Sequence, residues 1–172
     1  MAALEELDYE ELWGEGASGR VGAVRVVGSL EACSFTEFGN EVWPGSKVLG
    51  EWLTRHSDVV AGKRVVEVGA GCGLPGLVAA AVGARRVTLT DLPEALASLR
   101  RNASENARAV SCEVTCEALR WGAHGAGLPD CDVVLGADVV YKEALIAPLL
   151  STLRALVFRV GQTCVLARAG KG

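Results

Sequence analysis

No stretch of the 172-residue chain approaches the roughly 18 consecutive apolar residues needed to cross a bilayer, although half of its residues are hydrophobic. The opening, MAALEELDYEEL, lacks the basic and apolar regions of a signal peptide and is too acidic for a transit peptide. A soluble protein of the cytosol, or of the nucleus, is therefore expected, with no membrane partner. Metal chemistry is equally poorly provided for. There are two histidines, and the six cysteines, at 33, 72, 112, 116, 131 and 164, form no C-x-x-C pair. Cys112 and Cys116 lack histidines at ligand spacing, so ordinary reduced thiols and no metal are expected. The chain also lacks an excess of basic charge: a net charge of -4 argues against an extended phosphate-binding face, and no nucleic-acid partner is expected. Arg100, Arg101 and Arg108 could form a local basic patch, or simply the wet side of a helix. Repeats, low-complexity tracts and long linkers are absent too. The length suits one domain, burying roughly 70% of the surface its unfolded chain exposes.

What is present is a change of rhythm. Residues 1–20 read as an acidic lead-in loosened by Gly14, Gly16 and Gly19, and 21–172 as a single domain with its core over 62–168. Residues 21–38 suggest a β-hairpin, and residues 46–60 a helix with Val48, Leu49, Trp52 and Leu53 on one face. After Gly62, strands and helices alternate. Strands are expected at 64–69, 85–91, 110–116, 131–138 and 162–167. Helices are expected at 74–82, after Pro93, where Leu92, Leu96, Leu99 and Ala103 share a face, and at 144–157 despite Pro148. Strands separated by helices of this length pair in parallel, so the fold class is α/β, an open doubly wound sheet. Its ligands belong at the carboxyl ends of the strands.

The first such end carries VVEVGAGCGLPGL, residues 65–77. Gly69, Gly71 and Gly73 make G-x-G-x-G, whereas the dinucleotide fingerprint places its third glycine after two intervening residues, where this chain has Leu74. No Gly-Lys-Ser or Gly-Lys-Thr follows, which excludes a P-loop. With no element dedicated to phosphate, S-adenosylmethionine fits better. Glu67 stands where a carboxylate can attract its ammonium, directly or through water, and the helix N-terminus favours its carboxylate. Asp91 ends the second strand, where it can accept hydrogen bonds from ribose hydroxyls. Close packing would also account for the glycines, and a helix cap beside Pro93 for Asp91.

Four further stretches complete the pattern: VWPG (42–45), TDLPE (90–94), LRWG (119–122) and GADVVY (136–141). In this order they resemble the seven-β-strand enzymes of methyltransferase family sixteen, which includes protein-lysine methyltransferases acting on chaperones and translation factors. The resemblance runs from about residue 39 to 167. It implies a Rossmann-like fold, S-adenosylmethionine as cofactor and a protein substrate. It makes Trp43 a lid-like contact to the cofactor, and Gly69, Ala70 and Gly71 the backbone around its amino acid end. Asp91 would hold the ribose, Trp121 would lie against the adenine, and Ala137 would touch the cofactor from the fourth strand. Asp138 and Tyr141, the D-x-x-Y element, would be catalytic: Asp138 orients the incoming side chain and Tyr141 packs or hydrogen-bonds against it. A helix cap and a half-buried tyrosine would explain the same two residues structurally.

The chain departs from the family in carrying Arg120 before Trp121, and in ending at ARAGKG where relatives continue into another helix and final strands. The fifth strand is thus expected to be an exposed edge. Two rivals follow. One is a protein that binds the cofactor without turnover. The other, a small NAD-dependent oxidoreductase, is disfavoured because Tyr141 is followed at position 145 by leucine rather than lysine. Protein arginine and a small amine stand beside lysine as methyl acceptors.

Overall fold

A computed structural model describes residues 18–27, 42–122, 127, 130–157 and 161–168. The elements are β1 (Ser18–Val21), β2 (Val24–Val27), α1 (Pro44–Arg55), β3 (Arg64–Val68), α2 (Leu74–Ala81), β4 (Arg86–Asp91), α3 (Leu96–Glu105), β5 (Glu113–Ala118), β6 (Val133–Ala137), α4 (Glu143–Leu156) and β7 (Thr163–Ala167). Among the described residues, β3 to β7 form one sheet in the order β5-β4-β3-β6-β7, every pair parallel. This is the expected doubly wound α/β sheet. The chain moves outward from β3 through β4 to β5, then returns to the other side of β3 for β6 and β7. The order reverses between β3 and β6, and such a reversal opens a crevice at the carboxyl ends of the strands.

Alternation along each strand explains the layers, because successive side chains point to opposite faces. Val65 of β3, Val87 and Leu89 of β4 and Leu135 of β6 pack against Leu49 and Leu53 of α1, Leu74, Leu77 and Val78 of α2, and Leu96 and Leu99 of α3. Val66, Val68 and Val134 face the other way, onto Leu149, Leu153 and Leu156 of α4. α2 sits closest to the sheet: seven of its eight residues, Leu74 to Ala80, are buried. No described helix is long and apolar enough to cross a membrane.

Several boundaries differ from expectation, each for a local reason. The hairpin is β1–β2, which begins three residues before the expected 21–38 and overlaps it over 21–27, with Gly22 and Ala23 as a two-residue turn. Its first strand thus begins inside the stretch read as lead-in; residues 1–17 and 28–41 lie outside the described residues. α1 starts at Pro44, whose fixed φ suits a first turn, and stops at Arg55, where His56 N–H and Nδ1 both meet the Trp52 carbonyl at 3.0 Å. A single 3₁₀ turn, Ser57–Val59, follows. β5 runs Glu113–Ala118 rather than 110–116, since Ser111 is held back by its N–H and hydroxyl on the Ala80 carbonyl.

Candidate functional site

The carboxyl end of β3 runs directly into the glycine turn. Gly69, Gly71 and Gly73 all have positive φ, and Gly73 is the N-cap of α2. The turn is pinned from three sides. Ala70 N–H donates to the Thr90 carbonyl at the end of β4 (3.0 Å), Gly73 N–H to the Ala70 carbonyl (2.7 Å), and the Asn102 amide of α3 to the Cys72 carbonyl (3.0 Å). At Gly69 the lack of a side chain is required by space as well as by φ. A Cβ there would lie 2.9 Å from Trp121 Cζ2 and 3.1 Å from Val139 Cγ1. Trp121, carried from the end of β5, therefore lies over the start of the turn, half-buried.

Asp91 closes β4 beside it. One carboxylate oxygen accepts Gly71 N–H and the other Leu92 N–H, both at 2.7 Å. Burial raises its pKa, while these two N–H groups hold it down. Tyr141, beyond β6, is half exposed. Its phenol is pushed above its ordinary pKa first by partial burial and then by the negative charge of Asp91. Ala137, the last residue of β6, is buried, and Asp138 follows it at φ +52°. Non-glycine residues seldom adopt that conformation, aspartate more readily than most. Asp138 N–H donates to the Ala167 carbonyl of β7 (2.9 Å), and its carboxylate accepts Gly45 N–H (2.6 Å). That bond brings the first turn of α1, and with it half-buried Trp43, to the same edge.

Ten of the eleven residues singled out in the sequence thus gather at one end of the sheet. Glu67 is set apart. It is 1% exposed and points beneath α2, where its carboxyl accepts Gly76 N–H (2.9 Å). Burial pushes it up to about 8, the Gly76 bond opposing and Asp91 adding to the rise. A carboxyl so placed braces the helix that begins at the glycine turn, one layer below the open mouth. Sequence reasoning missed three supporting residues: Asn102, Gly45 and Thr152. Thr152 accepts Gly122 N–H (2.9 Å) through its hydroxyl, which itself donates to the Pro148 carbonyl (3.1 Å), and so moors the Trp121–Gly122 turn to α4. Asn102 had a signal, an amide on the buried face of an otherwise leucine-lined helix, and Gly45 closes the VWPG stretch; Thr152 had none.

The chain matches the family model described as lysine methyltransferase over residues 30–169. It is 39% identical over 132 residues to the histone-arginine methyltransferase METTL23 of Xenopus laevis, covering 73% of this chain and 55% of that one. It is 41% identical over 128 residues to the protein N-lysine methyltransferase METTL21A of Danio rerio, with coverages of 73% and 57%. EEF1A lysine methyltransferase 3 of Xenopus tropicalis is 38% identical over 116 residues, with coverages of 67% and 51%. The chain spans about half the length of these curated relatives. Among solved structures, a putative RNA methyltransferase from Pyrococcus horikoshii aligns with TM-score 0.58 at 20% identity, over 85% of this chain and 70% of that one. A magnesium protoporphyrin IX methyltransferase from Synechocystis with bound S-adenosylmethionine aligns with TM-score 0.55 at 21% identity, over 73% and 58%. The fold is thus shared with these methyltransferases, and the chain belongs to the lysine methyltransferase family.

Proposed function

We propose that the chain carries the cofactor half of an S-adenosylmethionine-dependent N-methyltransferase acting on a lysine side chain of a partner protein. The observation that carries this reading is the glycine turn beside the reversal of strand order, with Trp121 packed over Gly69 and the Asp91 carboxylate bonded to Gly71 N–H. There a backbone without side chains lies between an indole and a ribose-type carboxylate. The residues fit the cofactor. Gly69, Ala70, Gly71 and Gly73 offer close backbone approach at its amino acid end, Asp91 the ribose acceptor, Trp121 and Trp43 flat apolar walls, and Ala137 a small side chain beneath. Glu67 serves that end through its hold on α2.

When bound, S-adenosylmethionine supplies a sulfonium methyl group, which a neutral nitrogen takes up as the carbon–sulfur bond breaks and its electron pair stays on sulfur. The protein's share is alignment and exclusion of water. Asp138 attracts and orients the incoming amine and Tyr141 packs or hydrogen-bonds against it. A lysine begins at a pKa of about 10.4 and must lose a proton. Desolvation favours that loss and a bare carboxylate opposes it, so solvent takes the proton before the site closes and neither residue need be a strong base. Arginine is a second reading, supported by the likeness to a histone-arginine methyltransferase. Chaperones, translation factors and histones are the first substrates to screen. We place the protein in the cytoplasm or nucleus.

Calorimetric titration with S-adenosylmethionine, with NAD as control, tests the cleft. Saturable binding is expected, weakened at least tenfold by Asp91→Ala. NAD binding would favour the oxidoreductase, and no binding by a folded chain would overturn the cofactor reading. Binding without transfer of labelled methyl to any lysate protein would favour a binding protein instead.

A further inference from the structure

The first turn of a helix leaves its N–H groups without intrahelical partners, and a polar N-cap side chain usually supplies one. In α1 the N-cap is Trp43, with no side-chain capping bond. The acceptor comes from 93 residues away: Gly45 N–H donates to the Asp138 carboxylate at 2.6 Å. Position 45 also has no room for a side chain while the carboxylate stays where it is. A Cβ there would lie 2.6, 2.7 and 2.8 Å from Oδ2, Cγ and Oδ1 of Asp138. The main chain beneath that carboxylate is fixed, its N–H tied to the Ala167 carbonyl at φ +52°, so a Cβ at position 45 would be accommodated by turning the carboxylate away from Gly45 N–H. Main-chain strain kept in place by such ties is a common mark of a working residue.

We propose that Gly45 is a positioning residue for methyl transfer: the first turn of α1 clamps the Asp138 carboxylate and fixes where an incoming amine can be held. This rests on the reading of Asp138 as the residue that orients the substrate. The clamp resolves the conflict in that role. A free carboxylate would favour the ammonium form of the amine, whereas a carboxylate already sharing one oxygen with a helix N-terminus still attracts and orients it but stabilises its charge less. The clamp also joins Trp43 to the catalytic turn, so the indole wall and the orienting carboxylate move as one unit.

Two measurements on the full 172-residue chain test this. The first is hydrogen exchange of the Gly45 amide by NMR. Asp138→Ala is expected to speed exchange at least tenfold, and Asp138→Asn, which keeps an acceptor oxygen, to stay within threefold of the parent. Unchanged exchange in Asp138→Ala overturns the clamp. The second compares Gly45→Ala, Asp138→Ala and the double variant, reading S-adenosylmethionine affinity and tritiated-methyl transfer to lysate protein. Gly45→Ala is expected to slow transfer at least tenfold at saturating cofactor, with affinity within threefold, and the double variant to be no more than twofold slower than Asp138→Ala. Multiplying losses, or affinity falling in step with rate, overturns the positioning role. A parent-like rate in Asp138→Ala, with faster Gly45 exchange, would instead overturn the catalytic reading of Asp138 and leave the clamp as a cap. If Gly45→Ala does not fold, the exchange comparison of the two Asp138 variants decides.

Discussion

Asn102 shows how a single side chain can set the shape of a ligand turn without touching the ligand. It has no exposed surface, sits three residues beyond Leu99 on the core side of α3, and reaches across to the Cys72 carbonyl inside the glycine turn. One turn later Asn106 donates back to the Asn102 main-chain carbonyl at 2.8 Å, steadying the end of the helix. Removing one partner of a buried hydrogen bond leaves the other poorly satisfied, at a cost of about 1–3 kcal/mol. Asn102→Ala is therefore expected to lower urea-unfolding stability by about that amount and, by loosening the turn, to weaken S-adenosylmethionine binding. Parent-like stability and affinity together would show that the turn holds its shape without α3. The glycines themselves were readable from their spacing and the position of Leu74. The amide that fixes them was visible only as a polar residue at a register otherwise apolar, and nothing in the chain says which carbonyl it reaches.

Among elements, the βα units were the legible part, because each buried strand ends at a turn signal and each helix presents one apolar face. β3, β4, β6 and β7 fall within two residues of the expected limits, and so does α4, with Pro148 inside it. Where the reading slipped, one distant and one local contact decide the outcome: the Ser111–Ala80 tie displaces β5, and the Trp52–His56 contact, rings stacked at 4.3 Å, accompanies the end of α1. Strand burial was also hard to foresee. β5 has no fully buried residue although its pattern resembles those of its neighbours. The mooring of Trp121 belongs to this scale, since it joins the loop after β5 to α4 through Thr152. Thr152→Val keeps the shape but deletes the oxygen that accepts Gly122 N–H. The variant should lose about 1–3 kcal/mol. Exchange of the Gly122 amide should rise more than exchange in β3 or β4. A uniform rise would mean that the hydroxyl supports the whole fold rather than this loop.

For the whole molecule, the buried carboxyl at the centre of the sheet makes stability depend on pH. Glu67 is raised to about 8 by burial, with the charge of Asp91 adding to the rise against the Gly76 bond; in the unfolded chain it would titrate near its ordinary value of 4.5. Between those values the folded protein holds a proton that the unfolded chain has released, so the unfolded state binds fewer protons and stability falls as pH rises. The contribution is fully present below about 4.5 and lost on passing through about 8. Asp91, also raised, acts in the same direction. Asp132 does the reverse but elsewhere. The Arg64 side chain and N–H hold it near 2, so its stabilisation is present above its ordinary value of 3.8 and disappears only in stronger acid. The window from about pH 5 to 8 is therefore governed chiefly by Glu67, beneath the glycine turn. The melting temperature should decline across it, and Glu67→Gln, which keeps an acceptor for Gly76 N–H but cannot ionise, should flatten most of that slope. The variant should match the parent near pH 5 and exceed it at pH 8. A parallel pair of melting curves across the range would mean that Glu67 is ionised beneath α2, and that the glycine turn starts from a charged strut rather than a neutral one.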